Sequence, residues 1–444
     1  MLFLNEIKRS EFFNTLAKNT VRKKEHKHYL DVLNSLRELS NKDINEISSK
    51  QEDKLFKFLR YAFENSKYFR GYSVPEKIDD FKAIPFMDKK IISKNEKDIL
   101  IMGSSSIVKR NTGGSTGEPF SFYSDLSSGY ADLAHHAYLY ELMGYSEGDV
   151  IIGCGGIYLE EKVRKNGEFW VRNNRTSLWG QYVFSALYLN KSTIETYLKK
   201  ILSIKPKIMR GYPSFYYELA RYIIDNKIVI DFEIKGLNLT SEKCSAEQKY
   251  IIEKAFHSKI YFEYGHTEIS VFAYTTPESD NYKSSSIYGY VEVLDESGND
   301  TKIGEVGELV VTGFLNIAMP FIRYRTGDLV RLSSRNGGIV TFSEIFGRSQ
   351  DYVLDKYGSK QYLTGLIFGQ HFKAFSVINN WQIIQEKTGE IKFVIDRGKN
   401  YSKEDEKEIL DKITRIADIN IEFDYINEVI KTKAGKQPFL IKRS

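Results

Sequence analysis

The sequence contains a loop rich in glycine and hydroxyl side chains, Asn-Thr-Gly-Gly-Ser-Thr-Gly-Glu-Pro at residues 111–119. Glycine tolerates the positive φ angles at which successive backbone N–H groups converge on one anion, and the hydroxyl groups add further donors. The loop is not a Walker loop, because Glu118, Pro119 and Phe120 stand where Gly-Lys-Ser/Thr would follow. Taken alone, the composition fits a phosphate-binding loop and a flexible surface turn about equally well.

Two shorter motifs carry groups that suit a nucleotide. Residues 264–268, Tyr-Gly-His-Thr-Glu, follow a predicted strand at 259–263, and α/β sheets bind ligands at the carboxyl ends of their strands. There, an aromatic ring can stack on a base, a hydroxyl can bind a phosphate, and a carboxylate can bind Mg²⁺. Residues 324–328, Tyr-Arg-Thr-Gly-Asp, add a carboxylate that can accept hydrogen bonds from both hydroxyls of a ribose. Each motif taken alone also fits an ordinary turn. The order and spacing of the motifs along the chain are more specific than any one of them.

Other residues that often bind metals lack the spacing of a metal site. His135 and His136 are adjacent, as are Glu160 and Glu161, and neither pair has a third ligand at a suitable distance along the chain. Both pairs are therefore predicted to lie at the surface or in a pocket wall. The chain has two cysteines, which is too few for a disulfide framework.

Short apolar runs that end at glycine alternate with helical patterns through the middle of the chain. The runs at 150–153, 207–211 and 259–265 predict buried parallel strands, and thus an α/β domain. From residue 286 onward the pattern changes, because residues 288–294 and 307–314 predict hairpin strands on either side of a turn.

Helical periodicity marks both ends of the chain. One helical stripe near the start comprises Leu55, Phe58, Leu59, Ala62 and Phe63. After about residue 347 a small domain is predicted, with strands at 390–396 and 419–426 around one helix. Ser402 and Asp405 form a capping box for that helix. Its predicted apolar face comprises Ile409, Leu410, Ile413 and Ile416.

The composition excludes several classes of protein. The chain has 444 residues, with 41% apolar and 28% charged residues, so it is not a disordered chain. We find no stretch of roughly 18 apolar residues that could span a membrane. The apolar segment at residues 1–4 is short for a signal peptide, so we expect a cytoplasmic protein, monomeric or homodimeric. The net charge is +5, and acidic residues interrupt the basic clusters, so we expect no nucleic-acid partner.

In their order along the chain, these motifs resemble the adenylate-forming superfamily of acyl-CoA synthetases, peptide-synthetase adenylation domains and luciferases. The nearest branch is the phenylacetate–CoA ligase and CapK-like group, whose CapK-like members are associated with capsular and other polysaccharide loci. The resemblance covers about residues 55–440. Besides the three motifs above, it rests on residues 84–89, 205–214, 239–242, 347–351 and 432–436.

The resemblance implies a role for each matching residue. The β- and γ-phosphates of ATP would be held by Thr112, Gly113, Gly114, Ser115, Thr116 and Gly117. The rest of the ATP site would comprise Thr240, Ser241, Glu242, Tyr264, Gly265, His266, Asp328 and Arg348. The catalytic residues would be Lys436, Thr267 and Glu268, with Glu268 also binding Mg²⁺. The acyl pocket would include Tyr212, Pro213 and Ser214, and Gln350 would be the hinge between domains.

The implied fold is α/β, with a large multi-subdomain N-terminal domain at 1–348 and a small mobile α+β lid domain at 349–444 that carries Lys436. The implied enzyme is an AMP-forming ligase. It would use ATP and Mg²⁺ to convert a small-molecule or sugar-linked carboxylic acid to an acyl-adenylate, and would then transfer the acyl group to CoA or an amine. Capsular or surface polysaccharide synthesis is one setting for such a reaction. Two alternatives stay open: a catalytically inactive nucleotide-binding scaffold, and a nucleotidyltransferase that leaves AMP on its substrate.

Three positions depart from the family pattern. Phe120 replaces the lysine that usually follows the phosphate-loop proline, and Gln350 replaces the usual hinge aspartate, with Asp351 next to it. Gly358, which resembles a glycine lining the tunnel for the second step, lies one residue further from Arg348 than usual. The resemblance therefore implies the first half-reaction more firmly than the second.

Overall fold

The computed structural model describes most of the chain. Described residues are 23–101, 107–111, 120–173, 178–348, 352–363, 366–367, 372–426, 429–432, 435 and 437–442, without the side chains of 23–26, 347, 348, 362 and 376. Among the described helices, none combines the length and the apolar character needed to cross a bilayer.

The helices of these regions occur in both halves of the chain. In chain order they are α1 (Lys23–Leu39), α2 (Ile44–Asn65), α3 (Ile78–Lys82), α4 (Lys89–Lys94), α5 (Glu96–Ile99), α6 (Leu126–Leu142), α7 (Glu161–Lys165), α8 (Ile194–Ile204), α9 (Pro213–Asp225), α10 (Ala246–Phe256) and α11 (Lys403–Ile416).

The strands begin after the fifth helix. They are β1 (Ile107–Asn111), β2 (Ser121–Asp125), β3 (Ile151–Gly155), β4 (Trp170–Arg172), β5 (Tyr182–Ser185), β6 (Ile208–Gly211), β7 (Gly236–Thr240), β8 (Ile260–Gly265), β9 (Phe272–Thr276), β10 (Ser279–Ser284), β11 (Gly289–Leu294), β12 (Val306–Gly313), β13 (Tyr324–Asn336), β14 (Ile339–Arg348), β15 (Tyr352–Leu354), β16 (Lys360–Tyr362), β17 (Ile378–Lys387), β18 (Glu390–Arg397), β19 (Asn420–Tyr425) and β20 (Leu440–Lys442).

The predicted apolar stripe of the N-terminal region lies on α2. Asp43 caps this helix, since its side chain accepts a hydrogen bond from the N–H of Asn45 at 2.8 Å. All five residues of the stripe are buried, and they pack against the strands of the large sheet from β11 to β14. The prediction for this helix is confirmed.

Twelve strands form one sheet in the order β11-β12-β13-β14-β10-β9-β8-β7-β6-β3-β5-β4. Strands β5, β3, β6, β7 and β8 are parallel neighbours, so the predicted α/β region is confirmed. The three predicted runs became β3, β6 and β8, whereas β7 was not predicted. Because these strands are parallel, their carboxyl ends meet at one edge of the sheet.

Helices cover both faces of the parallel region. On one face, α8, α9 and α10 contribute Tyr197, Phe215 and Phe256 to a core with Met209 and Leu237 of the strands. On the other face, α6 packs Leu139 and Tyr140 against the sheet. This double covering explains why the runs that form β3 and β6 are apolar on successive residues rather than alternating.

The predicted hairpin is also present. Strands β11 and β12 pair antiparallel, with Tyr290 opposite Thr312 and Leu294 opposite Glu308. Strand β13 then pairs with β12 and β14. The long β13 carries the Tyr-Arg-Thr-Gly-Asp motif along the sheet to face the end of β8.

The C-terminal region has its own four-stranded sheet, in the order β19-β18-β17-β20. Strands β18 and β19 are parallel and connected by α11, as the sequence predicts. The backbone N–H of Ser402 donates to Asp405 Oδ2 at 2.8 Å in the predicted capping box. The predicted apolar face of α11 is half wrong, because Ile409 and Ile413 are buried whereas Leu410 and Ile416 are exposed. The sheet covers only one narrow stripe of the helix.

Candidate functional site

The first element of the site is a hydrogen bond between two motifs. Tyr264 lies at the end of β8, and its hydroxyl donates to Asp328 Oδ2 on β13 at 2.7 Å. Burial, and then the charge of Asp328, hold the pKa of Tyr264 well above its usual value, so the hydroxyl keeps its proton. Asp328 also pairs with Arg348 in the register of β13 and β14. The structure thus brings together three residues that were predicted to bind ATP.

The turn before Asp328 is fixed by a second carboxylate. Glu308 on β12 accepts hydrogen bonds from the guanidinium of Arg325, at 2.5 and 2.9 Å, and from the N–H of Gly327 at 3.1 Å. Gly327 has φ of +79°, a conformation that glycine adopts readily, and the register of β12 and β13 shifts here. The glycine of the motif is therefore needed to present Asp328.

The second element is the buried carboxylate of Glu268, which is 4% exposed. The hydroxyl of Tyr324 donates to its Oε1 at 3.0 Å, and Lys89 Nζ lies 3.8 Å from the same oxygen. His266 Nδ1 lies 3.4 Å from Oε2. Thr267 and Gly265, on either side of His266, are exposed at the end of the strand. The motif at 264–268 therefore presents a carboxylate, an imidazole and an exposed hydroxyl at one edge of the sheet.

Lys89 reaches Glu268 because the segment before it runs beside β13. The N–H of Met87 donates to the carbonyl of Arg323 at 3.1 Å, and the N–H of Arg325 donates to the carbonyl of Met87 at 2.8 Å. Asp88 then caps α4 by accepting from the N–H of Ile91 at 2.7 Å. The ammonium of Lys89 also lies 5.8 Å from the centre of the Phe120 ring, the residue that replaces the family lysine.

The third element lies at the ends of β6 and β7. Gly211 has φ of +136°, and the N–H of Tyr212 donates to Cys154 Sγ at 3.1 Å. A Cβ at Gly211 would overlap this sulfur, so the close packing of β6 on β3 requires glycine. Burial raises the pKa of the Cys154 thiol, which therefore stays protonated. Pro213 occupies the first turn of α9, and Tyr212 is half-buried beside it.

Thr240 ends β7, and Ser241 follows with φ of +71°. The next residue, Glu242, connects two distant parts of the chain. Its Oε2 accepts from the N–H of Ser214 at 3.0 Å, and its Oε1 accepts from the N–H of Gln437 at 2.8 Å. The predicted role of Glu242 beside the adenine stays a prediction, but its carboxylate already connects the large sheet to the C-terminal segment.

Several known proteins are similar to this chain. Residues 358–443 match the family model of the CapK C-terminal domain. The chain is 25% identical over 430 residues to Protein CapK of Staphylococcus aureus, across 94% of this chain and 92% of that protein. Its structure is similar to that of a 2-hydroxyisobutyryl-CoA ligase in the postadenylation state, with a TM-score of 0.67 at 19% identity over 89% of each chain. Residues 358–443 thus match a CapK C-terminal domain, and the chain as a whole shares the fold of the CoA ligase.

The predicted resemblance to CapK-like proteins is therefore confirmed, and the predicted fold class is confirmed by the shared fold of the CoA ligase. A further structure with this fold is GH3.15 acyl acid amido synthetase, with a TM-score of 0.53 at 15% identity over 86% of each chain. The CapK C-terminal match begins at residue 358, and the predicted domain boundary between residues 348 and 349 stays a prediction.

Some predicted site residues lie outside the described residues. These are Thr112 to Gly117, Gln350 and Lys436, and the side chain of Arg348. The strands around the phosphate loop are described: β1 and β2 pair antiparallel, with Asn111 opposite Ser121. Residues 435 and 437, on either side of Lys436, are described as well.

The structure changes the interpretation of the adjacent histidines. Both are buried in α6, so a surface position is wrong for them. His135 Nδ1 lies 2.7 Å from the carbonyl of Ala131, and burial lowers its pKa to about 4. His136 Nδ1 lies 3.0 Å from Glu263 Oε2. Within the described part of the chain, no three His, Cys, Asp or Glu side chains are grouped as a metal site would require.

Sequence reasoning assigned no role to Lys89 or Cys154. Lys89 belongs to one of the elements that carry the family resemblance, and its position directly after a helix-capping aspartate was the available signal. For Cys154 the signal was weaker: it lies in the predicted strand run, next to glycine, where a backbone of another strand can approach.

Proposed function

We propose that the protein activates a carboxylic acid with ATP, forming an acyl-adenylate and pyrophosphate, and then transfers the acyl group to an acceptor. One observation carries this proposal. The hydrogen bond between Tyr264 and Asp328 and the ion pair between Lys89 and Glu268 both lie at the carboxyl edge of the sheet. A diol acceptor and a carboxylate beside an ammonium are the groups that a ribose and a triphosphate require.

This reaction needs no protein nucleophile. The substrate carboxylate is ionised at neutral pH, so its oxygen attacks the α-phosphorus directly while the bond to pyrophosphate breaks. The protein must hold two anions together and stabilise the charge of the transition state. In this proposal Asp328 accepts from the ribose hydroxyls, Thr267 contacts the α-phosphate, and Lys89 places a positive charge beside Glu268.

The carboxylate of Glu268 fits an Mg²⁺ ion that arrives with ATP. Protein sites for nucleotide-bound Mg²⁺ commonly provide one or two carboxylates, with phosphate oxygens and water completing the coordination. Glu268 is buried, and Tyr324 orients it through Oε1. When bound, Mg²⁺ would neutralise charge on the phosphates.

The acceptor and the carboxylic acid belong to the same proposal. We keep both CoA and an amine as candidate acceptors, because the structures with this fold include a CoA ligase and an acyl acid amido synthetase. The resemblance to the CapK-like branch, with which Protein CapK agrees by name, favours a sugar-linked carboxylate and a role in capsular or surface polysaccharide synthesis. We also propose that the enzyme acts in the cytoplasm.

The test is a panel of carboxylic acids, including uronic acids, incubated with Mg²⁺ and ATP, with and without CoA or amines. We expect AMP and pyrophosphate to form only when an acid is present. Mass spectrometry of the products then distinguishes a thioester from an amide. ADP and phosphate as products would contradict the proposal, and a stable AMP-modified substrate would favour the nucleotidyltransferase.

A further inference from the structure

The residues on both sides of Lys436 are fixed against the large sheet. Gly435 is buried with φ of +73°, and a Cβ there would lie 3.3 Å from side-chain atoms of Ala186 and Leu187, which follow β5. The N–H of Gln437 donates to Glu242 at the end of β7. The described residues on either side of the predicted catalytic lysine, Gly435 and Gln437, therefore lie at the carboxyl edge of the sheet.

A continuous series of hydrogen bonds surrounds this contact. Gln437 donates through its side-chain Nε2 to Asn380 Oδ1 at 3.2 Å, and Asn380 donates through Nδ2 to Glu218 Oε1 at 3.2 Å. Glu242 in turn accepts from Ser214. The series begins and ends on α9, since Ser214 and Glu218 are one helical turn apart. We call these five residues the polar latch: Ser214, Glu218, Glu242, Asn380 and Gln437.

The latch contains one buried residue, Asn380, and four partly buried ones. Asn380 is 5% exposed, and burial raises the pKa of the Glu218 carboxyl, although Arg221 acts in the opposite direction. A buried amide is costly without partners, so the hydrogen bonds of Asn380 to Glu218 and Gln437 carry the largest cost if they are lost. If the C-terminal sheet moved away, water would replace these partners, and the latch can therefore open reversibly.

The surrounding contacts are weaker. Arg221 and Asp396 are 3.8 Å apart, and Lys399 and Asp225 are 3.9 Å apart, both near the surface. Lys431 Nζ reaches the carbonyls of Ala186 and Leu189 at 3.3 Å. The two ion pairs attract the C-terminal sheet to α9, and Lys431 adds a contact to the segment after β5. The directional hydrogen bonds of the latch are shorter than either ion pair and fix the register of the contact with α9.

We propose that the polar latch holds the segment of Lys436 over the site, and that Glu242 is the positioning residue that couples this closure to the start of α9. Tyr212, Pro213 and Ser214 form the proposed wall of the acyl pocket, so the same carboxylate contacts the pocket and the lysine segment. The closed arrangement is independent of the proposed function, whereas its effect on catalysis rests on that function.

The test uses a substitution that reverses one hydrogen bond without changing size. Asn380→Asp replaces the amide that donates to Glu218 with a carboxylate, so two acceptors face each other, while the acceptor for Gln437 is kept. Asn379→Asp is the matched control, because Asn379 donates only within the C-terminal sheet, to Asp396 Oδ1 at 3.2 Å and the carbonyl of Arg397 at 2.8 Å. The double variant Glu218→Gln/Asn380→Asp restores a donor opposite an acceptor.

The first measurement is hydrogen exchange of the full chain without substrates, in peptides that cover residues 429–442. We expect Asn380→Asp to increase their exchange by about tenfold or more, and the double variant to return it to the wild-type rate. Glu242→Gln should also increase it, because one of its two N–H partners would face an amide donor. Unchanged exchange in Asn380→Asp, or an equal increase in Asn379→Asp, would overturn the latch.

The second measurement is single-turnover formation of acyl-adenylate, alongside ATP affinity. We expect Asn380→Asp and Glu242→Gln to slow this step by about tenfold or more with little change in ATP affinity, and the double variant to recover. If a variant shows increased hydrogen exchange but forms acyl-adenylate at the wild-type rate, the coupling of the latch to catalysis is refuted. If the wild-type chain activates no carboxylic acid, the proposed function fails, and the exchange data still decide whether the latch exists.

Discussion

Tyr264 and Asp328 form the residue pair on which the nucleotide site depends. The Asp328 carboxylate accepts from the Tyr264 hydroxyl through Oδ2, and we propose that it also accepts from the ribose diol. We expect Asp328→Ala to weaken ATP binding by roughly 1.5–3 kcal/mol, the range for hydrogen bonds to a charged group. Isothermal titration calorimetry measures this change.

Tyr264→Phe is the control for that variant, because it keeps the carboxylate and removes its hydroxyl partner. It should reduce the affinity less than Asp328→Ala does. ATP binding that is the same in Asp328→Ala and the wild type would show that the ribose lies elsewhere.

The contact between Lys89 and Glu268 leads to a prediction about the rate of pyrophosphate release. Lys89 Nζ lies 3.8 Å from Glu268 and over the ring of Phe120, beside the start of β2. If this ammonium stabilises phosphate charge in the transition state, Lys89→Ala should slow pyrophosphate release on the order of 10²-fold. Lys90→Ala, at the exposed neighbouring position, should leave the rate unchanged. Equal rates for the two variants would exclude Lys89 from the chemistry.

These two pairs show what residue types can predict. The Tyr-Gly-His-Thr-Glu and Tyr-Arg-Thr-Gly-Asp motifs indicate one nucleotide site, and the structure places both at the same edge of the sheet. The proximity of Lys89 to Glu268 depends on the pairing of Met87 beside Tyr324, a contact between distant residues that no local pattern encodes. A motif predicts which side chains do chemistry, but the tertiary pairing determines which charge lies beside them.

At the scale of elements, the junction of β6 and α9 is the most constrained part of the site. Gly211 combines a positive φ with contact against Cys154, so a methyl group there would be strained and would overlap the sulfur. We expect Gly211→Ala to lower the free energy of unfolding by about 1–3 kcal/mol. Gly155→Ala is the matched control, because a Cβ at Gly155 has no atom within 4 Å.

Urea unfolding followed by circular dichroism compares the two glycine variants. A loss of stability in Gly155→Ala as large as that in Gly211→Ala would mean that a general effect of alanine at these strand ends, rather than the close approach of β6 to β3, explains the loss.

The predicted apolar face of a helix is correct where neighbouring elements cover the whole face. It is wrong where the neighbouring sheet is narrower than the face. The stripe on α2 packs into a core that includes the antiparallel strands, and all five of its residues are buried. On α11 the small sheet covers Ile409 and Ile413, which are four residues apart, and leaves Leu410 and Ile416 exposed. The sequence indicates how much apolar surface a helix has, whereas its neighbours determine how much is buried.

At the scale of the whole molecule, the placement of the C-terminal sheet was not predictable from composition or pattern. The sequence separates a small α+β unit from the rest, but the contact of Gln437 with Glu242 is a hydrogen bond across 195 residues. That contact brings Gln437, the residue after Lys436, to the edge where β6, β7 and β8 end. A lysine delivered in this way should act on the reaction rather than on the binding of ATP.

Lys436→Ala tests this separation of catalysis from binding. Loss of one positive charge from the transition state should slow acyl-adenylate formation by on the order of 10²–10³-fold, measured by pyrophosphate release in a single turnover. ATP affinity should change little, because Asp328 and Tyr264 belong to the large sheet. Use of a pre-made acyl-adenylate should also change little, since the phosphoryl transfer is already complete. Lys433→Ala, three residues earlier in the same segment, should behave as wild type. Near-normal pyrophosphate release by Lys436→Ala would exclude both the lysine assignment and delivery by the C-terminal domain.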